Sequence, residues 1–293
     1  MANFDIYAAI TDRIIAELEN GIIPWRKPWT GTTTGAISRE TGRPYSLLNQ
    51  MLLGTPGEYL TWNQVKKEGG SVKKGAKAKM VVFWKVYLRE KKNADGQTVT
   101  DAEGKPVMEG LPVLRYFNVF HIDDCEGIKP KYTAENTKHA DPIQYAEETF
   151  ADYVSRSGVR FENVRQDRAY YSPSQDLIRL PLMEQFPDTA EYYSTLFHEA
   201  THSTGHAKRL DRLPKDAIAA HFGSEEYSKE ELVAEIGAAS ILNVLGIETA
   251  GTFKNSAAYI RSWLKALKND KRMIVSAAAR AEKAVKLILN TAE

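Results

Sequence analysis

The chain has 293 residues, of which 43% are hydrophobic and 26% are charged, and its formal net charge is +1. This composition is typical of a soluble globular protein, and the length allows two domains. The single cysteine, Cys125, excludes an internal disulfide and a cysteine-rich zinc site, so any metal would have to be bound by histidine and carboxylate side chains. Because no signal sequence or membrane span is recognisable, we expect a cytoplasmic protein without a membrane partner.

The charge is distributed unevenly along the sequence. Residues 1–130 carry a net charge of +3, residues 131–250 carry −8, and residues 251–293 carry +6. Such asymmetry indicates segments with different tasks, and contacts with polyanions are expected at the two ends of the chain rather than in the middle.

Hydrophobic periodicity predicts an N-terminal region that mixes helices and strands. Apolar residues recur every three or four positions over residues 6–18, which predicts an amphipathic helix, and a second short helix is predicted at 47–53. Strands rich in β-branched and aromatic residues follow at 80–88 and 114–121. The polar segment between them, 91–110, is predicted to be an exposed hairpin tip or insertion.

The second half of the sequence predicts mostly helices with a small sheet. Residues 131–142 lack apolar periodicity and are bracketed by prolines, which predicts a linker between a domain at 1–130 and a domain at 143–293. The predicted elements of the latter are a helix at 143–155, strands at 159–168 and 169–180, helices at 189–204 and 229–245, and two more within 255–291. The predicted fold class is therefore α+β. We also expect residues 176–180 to form an edge strand that offers one wall of a peptide cleft.

The run Phe197-His198-Glu199-Ala200-Thr201-His202 carries the strongest chemical signal. It is an H-E-x-x-H motif, and at about 3.6 residues per helical turn His198 and His202 lie on one face, close enough for both imidazoles to bind one zinc. Glu199 would then face a water held by the metal and act as the catalytic base. The motif predicts a metal centre suited to peptide hydrolysis.

A catalytic zinc usually takes three protein ligands and a water, so a third ligand is expected downstream. A metzincin-like pattern would place a histidine at position 208, but that residue is Lys208, and the nearest histidine is His206. The helix predicted at 229–245 instead offers Glu231 and Glu235, one turn apart. This pair resembles the thermolysin-like gluzincin arrangement, which implies that Glu231 binds the metal and Glu235 hydrogen-bonds to a ligand histidine. The reverse assignment stays open, because the second acidic residue of that arrangement is an aspartate.

A basic and aromatic segment at residues 66–92 predicts nucleic-acid binding. It holds ten Lys or Arg against two acidic residues, with aromatic residues interleaved. Basic groups that follow a phosphate backbone, with aromatic faces on which unpaired bases stack, are typical of single-stranded DNA binding, although lysines also commonly protect an edge strand. The residues predicted to contact DNA are Trp25, Lys66, Lys67, Lys73, Lys74, Lys77, Lys79, Trp84 and Lys85.

Several short segments jointly resemble one family over nearly the whole chain. Segments 22–29, 41–45, 70–77 and 117–121 look like the N-terminal domain of ArdC-type antirestriction proteins, which plasmid TraC-type primases share. The C-terminal half is similar to the zincin metallopeptidase-like domain of the same family. The segments that carry this second resemblance are 176–181, the H-E-x-x-H run with residues 203–206, and 230–237.

The resemblance implies a plasmid-encoded bacterial protein that binds single-stranded DNA and protects DNA entering a recipient cell by conjugation from host restriction endonucleases. Its metal is expected to be zinc, with another divalent ion such as manganese as the alternative. A host restriction enzyme or another protein would be its protein partner or substrate. The alternative function is a DNA-targeted zinc metalloprotease that cleaves a DNA-associated protein.

Overall fold

The computed structural model describes residues 4–26, 35–132, 141–213, 225–247 and 256–291. They form two compact units, of which the first comprises Leu60–Ile128 with the described residues up to Ile6. The second comprises the described residues of Tyr7–Tyr59 and Lys129–Glu293. The described residues of 7–59 therefore pack with those of the C-terminal half, and the domain limits 1–130 and 143–293 stay a prediction. Most of the predicted linker, residues 133–140, lies outside the described residues.

Runs of strands are separated by helices, and four helices follow one another at the C-terminal end of the described chain, so the predicted α+β class is confirmed. In chain order the elements are α1 (Ile6–Glu19), a 3-10 turn (Pro24–Arg26), β1 (Ala36–Ser38), α2 (Leu47–Leu53), β2 (Gly57–Thr61), α3 (Trp62–Lys67), β3 (Ser71–Val72), β4 (Lys79–Glu90), β5 (Met108–His121), β6 (Cys125–Glu126), α4 (Pro142–Ser157), β7 (Arg160–Asn163), β8 (Tyr170–Ser172), β9 (Leu177–Leu180), α5 (Thr189–Ser203), α6 (Glu225–Leu245), α7 (Ser256–Asn269) and α8 (Met273–Leu289).

The predicted helices are confirmed to within a few residues, whereas two strand predictions are wrong in part. The strand predicted at 169–180 is two strands, because a turn separates β8 from β9 and places Asp176 at φ +49°. The strand predicted at 159–168 extends only over β7. The short helix α3 was not predicted, although its N-terminus carries a capping box in which Thr61 and Gln64 bond to each other's backbone N–H.

The first unit is built on a long antiparallel ribbon. β4 and β5 pair from Lys79 opposite Val119 to Glu90 opposite Met108. Val81, Val82 and Val119 are buried at the base of the ribbon, whereas its outer part is exposed on both faces. The segment 91–107 continues the hairpin with two isolated bridges and is almost entirely exposed, as predicted.

The N-terminal part of the second unit is held by a buried ion pair and a short parallel sheet. β1 pairs in parallel with β2, from Ala36 opposite Gly57 to Ser38 opposite Tyr59. Arg39 Nη1 donates to Glu58 Oε2 at 2.5 Å, and both side chains are buried. The other Glu58 oxygen accepts from the backbone N–H of Lys131 at 2.6 Å. The buried glutamate is thus paired and hydrogen-bonded, as a buried charge requires.

The C-terminal part of the second unit packs helices against a three-stranded sheet of order β7-β9-β8. Its core is aromatic in the centre: Phe150 lies edge-on to both Phe161 and Phe197, with ring centroids 4.9 and 6.4 Å apart. The apolar faces of α4, α5, α6 and α8 meet in this core. Among the described residues, we find no helical segment with the length and hydropathy of a transmembrane span.

A buried ion pair ties the turn before β9 to the segment after α5. Arg209 donates to both carboxylate oxygens of Asp176 and to the Ser203 carbonyl, with an Nε···O distance of 2.7 Å. The Tyr171 hydroxyl donates to the same carboxylate at 2.9 Å. The Arg209 and Asp176 side chains are only 4% and 13% exposed.

Replacing Arg209 with methionine is expected to lower the free energy of unfolding by about 3 kcal/mol, because the Asp176 carboxylate would stay buried without its partner. Burial by itself would raise the pKa of Asp176, but hydrogen bonds from Arg209 and Tyr171 outweigh it and hold the pKa below its ordinary value. The ion pair therefore stabilises the fold above about pH 4, and this contribution is lost as the pH falls through the lowered pKa.

Urea unfolding at a series of pH values would measure this effect. The difference between wild type and Arg209→Met should be largest near neutrality and should shrink in acid. Arg160→Met is the control, because Arg160 pairs with Glu162 at 3.3 Å with its side chain 62% exposed, and it should cost less than about 1 kcal/mol. Equal losses for the two variants would contradict the assignment.

Candidate metal centre

Two helices bring the predicted metal-binding residues together. α5 begins after Asp188, whose side chain accepts from the backbone N–H of Glu191 at 2.8 Å, and it runs past the H-E-x-x-H motif to Ser203. α6 lies close against it at Gly237, where an added Cβ would be 2.6 Å from Thr201 Cγ2. The absence of a side chain at Gly237 therefore lets the glutamates of α6 approach the histidines of α5.

His198, His202 and Glu231 form a compact cluster. The two Nε2 atoms are 3.1 Å apart, and the Glu231 carboxylate lies 3.5 Å from His198 Nε2 and 3.4 Å from His202 Nε2. A tetrahedral ion bound at roughly 2.0–2.2 Å has ligand atoms roughly 3.3–3.6 Å apart. The three side chains are therefore spaced to bind a divalent ion. Among the described residues, they form a cluster that could hold a cation.

Glu199 lies beside this cluster on α5 and is only 9% exposed. Phe197 and Ala200, on the same helix, are fully buried. Glu199 is thus a largely buried carboxylate next to the two histidines of the motif.

The outer nitrogen of each imidazole faces a second glutamate. His202 Nδ1 lies 3.2 Å from Glu230 Oε1, and His198 Nδ1 lies 3.9 Å from Glu235 Oε1. A carboxylate at this nitrogen fixes the ring orientation and the tautomer in metal-binding histidines. Of the two glutamates weighed as third ligand, Glu231 is thus the one that faces both Nε2 atoms.

An arginine holds each of these outer glutamates. Arg26 Nη2 donates to Glu235 Oε2 at 2.5 Å. Arg212 donates to both oxygens of Glu230, at 2.8 Å from Nε and 2.7 Å from Nη2, and its Nη2 also donates to the Thr201 carbonyl at 2.8 Å.

The charges of the cluster favour a cation. Burial by itself would lower the pKa of both imidazoles, but Glu231 raises the pKa of His198, and Glu230 with Glu231 raises the pKa of His202 to about 10. Burial would likewise raise the pKa of Glu231, but its contacts with both histidines hold that pKa well below the ordinary range. The carboxylates therefore stabilise positive charge here, whether on the rings or on a bound ion.

The structure also decides two other points that the sequence raised about this region, the role of His206 and the position of residues 176–180 in the sheet. His206, the residue nearest to a metzincin-like third histidine, faces away to Asp176, with Nδ1 3.8 Å from Oδ2. The expectation that 176–180 forms an edge strand is wrong, because β9 pairs with β7 on one side and β8 on the other. β9 therefore has no free backbone edge to offer to a peptide.

The predicted DNA-contacting residues fall into three groups. Trp25 is fully buried and packs edge-on against Trp263, with centroids 5.1 Å apart, so the prediction that it contacts DNA is wrong. Lys79 is partly buried, and Trp84 is 48% exposed. The exposed residues are Lys66, Lys67, Lys73, Lys74, Lys77 and Lys85.

The two faces of the ribbon differ in chemistry. Because side chains alternate along a strand, Lys85 and Tyr87 of β4 share a face, whereas Trp84 and Leu88 lie on the other. Phe83 and Phe117 stack on the first face with centroids 4.7 Å apart and planes 6° from parallel. Lys85 Nζ lies 5.0 Å from the Tyr87 ring centroid. We call the face of Phe83, Lys85, Tyr87, Arg115 and Phe117 the basic aromatic face.

Comparison with known proteins identifies both halves of the chain. The family model for the N-terminal domain of anti-restriction factor ArdC matches residues 4–120, and the model for a zincin-like metallopeptidase matches residues 148–280. The metal-free crystal structure of the antirestriction ArdC protein from plasmid R388 is 35% identical with a TM-score of 0.72, covering 97% of each chain. Its Mn(II)-bound structure is 34% identical with a TM-score of 0.73, covering 98% of each chain. The chain belongs to the ArdC family of antirestriction proteins.

Other members of this wider group differ in length. The uncharacterized protein y4eC of Sinorhizobium fredii (strain NBRC 101917 / NGR234) is 30% identical, over 95% of this chain and 89% of its own length. Two DNA primases TraC of Escherichia coli are each 36% identical over 96% and 94% of this chain. The ArdC-family chain spans only 26% and 19% of the length of these primases.

Some residues of the site were not found from the sequence. The sequence assigned no role to Glu230, and neither Arg26 nor Arg212 was singled out. The available signal for Glu230 was its place directly before Glu231 on α6. Neighbouring side chains on a helix point about 100° apart, so these two glutamates had to face different partners. Within the ribbon, period-two alternation could have placed Arg115 and Phe117 on one face of β5, but only the register of β4 and β5 makes it the face of Lys85.

Proposed function

We propose that this ArdC-family protein binds single-stranded DNA and protects conjugatively transferred DNA from host restriction endonucleases in the bacterial cytoplasm. The basic aromatic face is the observation that carries the DNA assignment. Stacked aromatic rings beside exposed cations suit unpaired bases and their phosphates. Membership of the antirestriction family supports the protective role.

Binding to DNA is tested by substitutions on the two faces of the ribbon. Phe117→Ala and Tyr87→Ala in the full chain are each expected to weaken binding to a fluorescent single-stranded oligonucleotide by about 1–3 kcal/mol, because a base loses its stacking surface. Phe117 is 53% exposed and Tyr87 38%, so both rings are accessible. Leu88→Ala on the opposite face, where the side chain is 73% exposed, is the matched control and should leave binding unchanged.

The charged residues of the same face give a second, independent measurement. Lys85→Gln and Arg115→Gln should each reduce the slope of log affinity against log salt by about 0.7, as expected when one phosphate contact on a single strand is lost. The contribution that the sequence predicted for Trp84 is tested by Trp84→Ala. Loss of binding in Trp84→Ala and Leu88→Ala, with Phe117→Ala intact, would move the DNA to the other face and contradict this assignment.

We further propose that His198, His202 and Glu231 hold a divalent ion, with Glu235 acting on His198. The two nitrogens and one carboxylate suit zinc, and manganese is the alternative because a family relative has been crystallised with Mn(II). When bound, such an ion lowers the pKa of a coordinated water and polarises a carbonyl oxygen. Glu199 would accept a proton at its carboxylate and return it to a leaving amine.

A second candidate function is a DNA-targeted metalloprotease that cleaves a DNA-associated protein, with a host restriction enzyme as one such substrate. The observation that favours it is Glu199: a metal that served only to stabilise the fold would not need an acidic residue buried beside it. DNA binding would then deliver the protease to its substrate. The two functions differ in whether protection requires Glu199.

A further inference from the structure

A residue from the beginning of the sequence reaches the metal centre. Arg26, at the end of the 3-10 turn, is separated from Glu235 by 209 positions, yet its Nη2 donates to Glu235 Oε2 at 2.5 Å. The Arg26 and Glu235 side chains are only 19% and 14% exposed. Since the other Glu235 oxygen lies 3.9 Å from His198 Nδ1, the contacts run from Arg26 through Glu235 to His198.

Packing holds this arginine in place. Pro24 and Trp25, which precede it in the turn, are both buried. The Trp25 ring packs edge-on against Trp263 of α7, which is itself 2% exposed. The turn is therefore anchored in the core of the second unit, and Arg26 extends from a fixed backbone.

The other histidine has the same arrangement with different residues. Arg212 donates to both oxygens of Glu230, and Glu230 Oε1 lies 3.2 Å from His202 Nδ1. Each imidazole thus faces Glu231 with Nε2 and an arginine-held glutamate with Nδ1. An arginine and a glutamate thus accompany each of the two histidines, and the two arginines come from distant parts of the sequence. This repetition indicates that both pairs serve to orient the imidazole rings.

The physical effect of such an arrangement is to orient the imidazole. A carboxylate at Nδ1 favours a proton on that nitrogen and leaves the Nε2 lone pair facing the metal position. Glu230 lies within hydrogen-bond distance of its histidine, at 3.2 Å, whereas Glu235, at 3.9 Å, acts through its charge. A guanidinium that donates to such a carboxylate fixes the direction of its oxygens.

We propose that Arg26 is a positioning residue of the metal centre, acting through Glu235 on His198. The N-terminal segment before β1 then completes a site whose three proposed ligands all lie in the C-terminal half. This inference rests on the proposed metal site at His198, His202 and Glu231.

The test compares full-length variants by Co(II) absorption spectra and by competition for Zn(II) with a chromophoric chelator. Arg26→Met is expected to weaken metal binding by about 10- to 100-fold and to change the Co(II) spectrum, because the imidazole is no longer held in one orientation. Arg26→Lys, which keeps the charge, should restore part of the affinity. Arg280→Met, at an exposed position on α8, is the matched control and should match wild type.

The outcomes separate this inference from the proposed metal site. Wild-type affinity and spectrum in folded Arg26→Met, together with loss of binding in His198→Ala, would overturn the role of Arg26 alone. Unchanged metal binding in His198→Ala would overturn the site and the inference together. A merely structural role predicts a lower unfolding temperature with an unchanged Co(II) spectrum. If Arg26→Met does not fold, unchanged spectra in both Arg26→Lys and Glu235→Gln overturn the proposal.

Discussion

Glu231→Gln is expected to weaken the binding of Zn(II) or Mn(II) by roughly two to three orders of magnitude. Structural zinc sites with four ligands are worth about 10–16 kcal/mol, so one ligand contributes roughly 3–4 kcal/mol. Glu231 faces the Nε2 atoms of His198 and His202 at 3.5 and 3.4 Å, and the substitution replaces its anionic oxygen by a neutral amide of the same size. Isothermal titration of the full-length protein would measure the loss.

Glu235→Gln is the matched comparison for this experiment. Glu235 lies 3.9 Å from the Nδ1 atom of His198 and faces neither Nε2 atom, and its other oxygen accepts from Arg26, so the same isosteric change should cost less, about 10-fold. The sequence left open which of the two glutamates binds the metal, and the order of the two losses decides it. A greater loss in Glu235→Gln than in Glu231→Gln would make Glu235 the ligand and Glu231 the orienting residue.

The parts of the metal centre that could be predicted are those encoded by short spacings on single helices. The separation of His198 and His202 by four positions fixes their common face in α5, and the same spacing places Glu231 and Glu235 together on α6. The crossing of α5 and α6 could not be read from either helix alone. It depends on Gly237, which had no local signal beyond the absence of a side chain in an otherwise regular helix.

Arg26 and Trp25 show why the remaining residues were missed or misread. They lie in one tripeptide with an aromatic and basic composition, and this composition suggests a surface that binds phosphate and bases. In the structure Trp25 is fully buried and Arg26 donates to Glu235, 209 positions away. The composition of a segment shows which groups its side chains could bind. Which residues they actually contact, when those residues are far away in the sequence, depends on how the whole unit packs.

The strands also show that contacts with residues outside a segment decide its local structure. Enrichment in β-branched and aromatic residues predicted both strands of the ribbon, whereas the face shared by Lys85 and Tyr87 was not predicted. The segment 169–180 is also predicted as one strand, yet it folds as two strands, because Asp176 adopts a left-handed conformation and binds Arg209. A non-glycine residue at positive φ is uncommon, and here the ion pair that holds it comes from beyond α5.

Glu199→Gln is expected to lower any metal-dependent peptide hydrolysis by this protein by about 10²- to 10⁴-fold, because the amide cannot accept a proton. Metal affinity and binding to single-stranded DNA should stay at wild-type levels, since the substitution keeps the volume of a residue that is 9% exposed and leaves His198, His202 and Glu231 in place. Glu191→Gln, in the first turn of the same helix, is the matched control.

The decisive measurement for Glu199→Gln is the efficiency of conjugative transfer of unmodified DNA into restricting and non-restricting recipients. Under the protease proposal, transfer into the restricting recipient should fall to the level seen without the protein, while DNA binding persists, because the substrate protein is no longer cleaved. Full protection by Glu199→Gln would contradict proteolysis as the basis of protection. The metal would then be needed for the fold or for regulation, and DNA bound on the basic aromatic face would itself be shielded from the endonuclease.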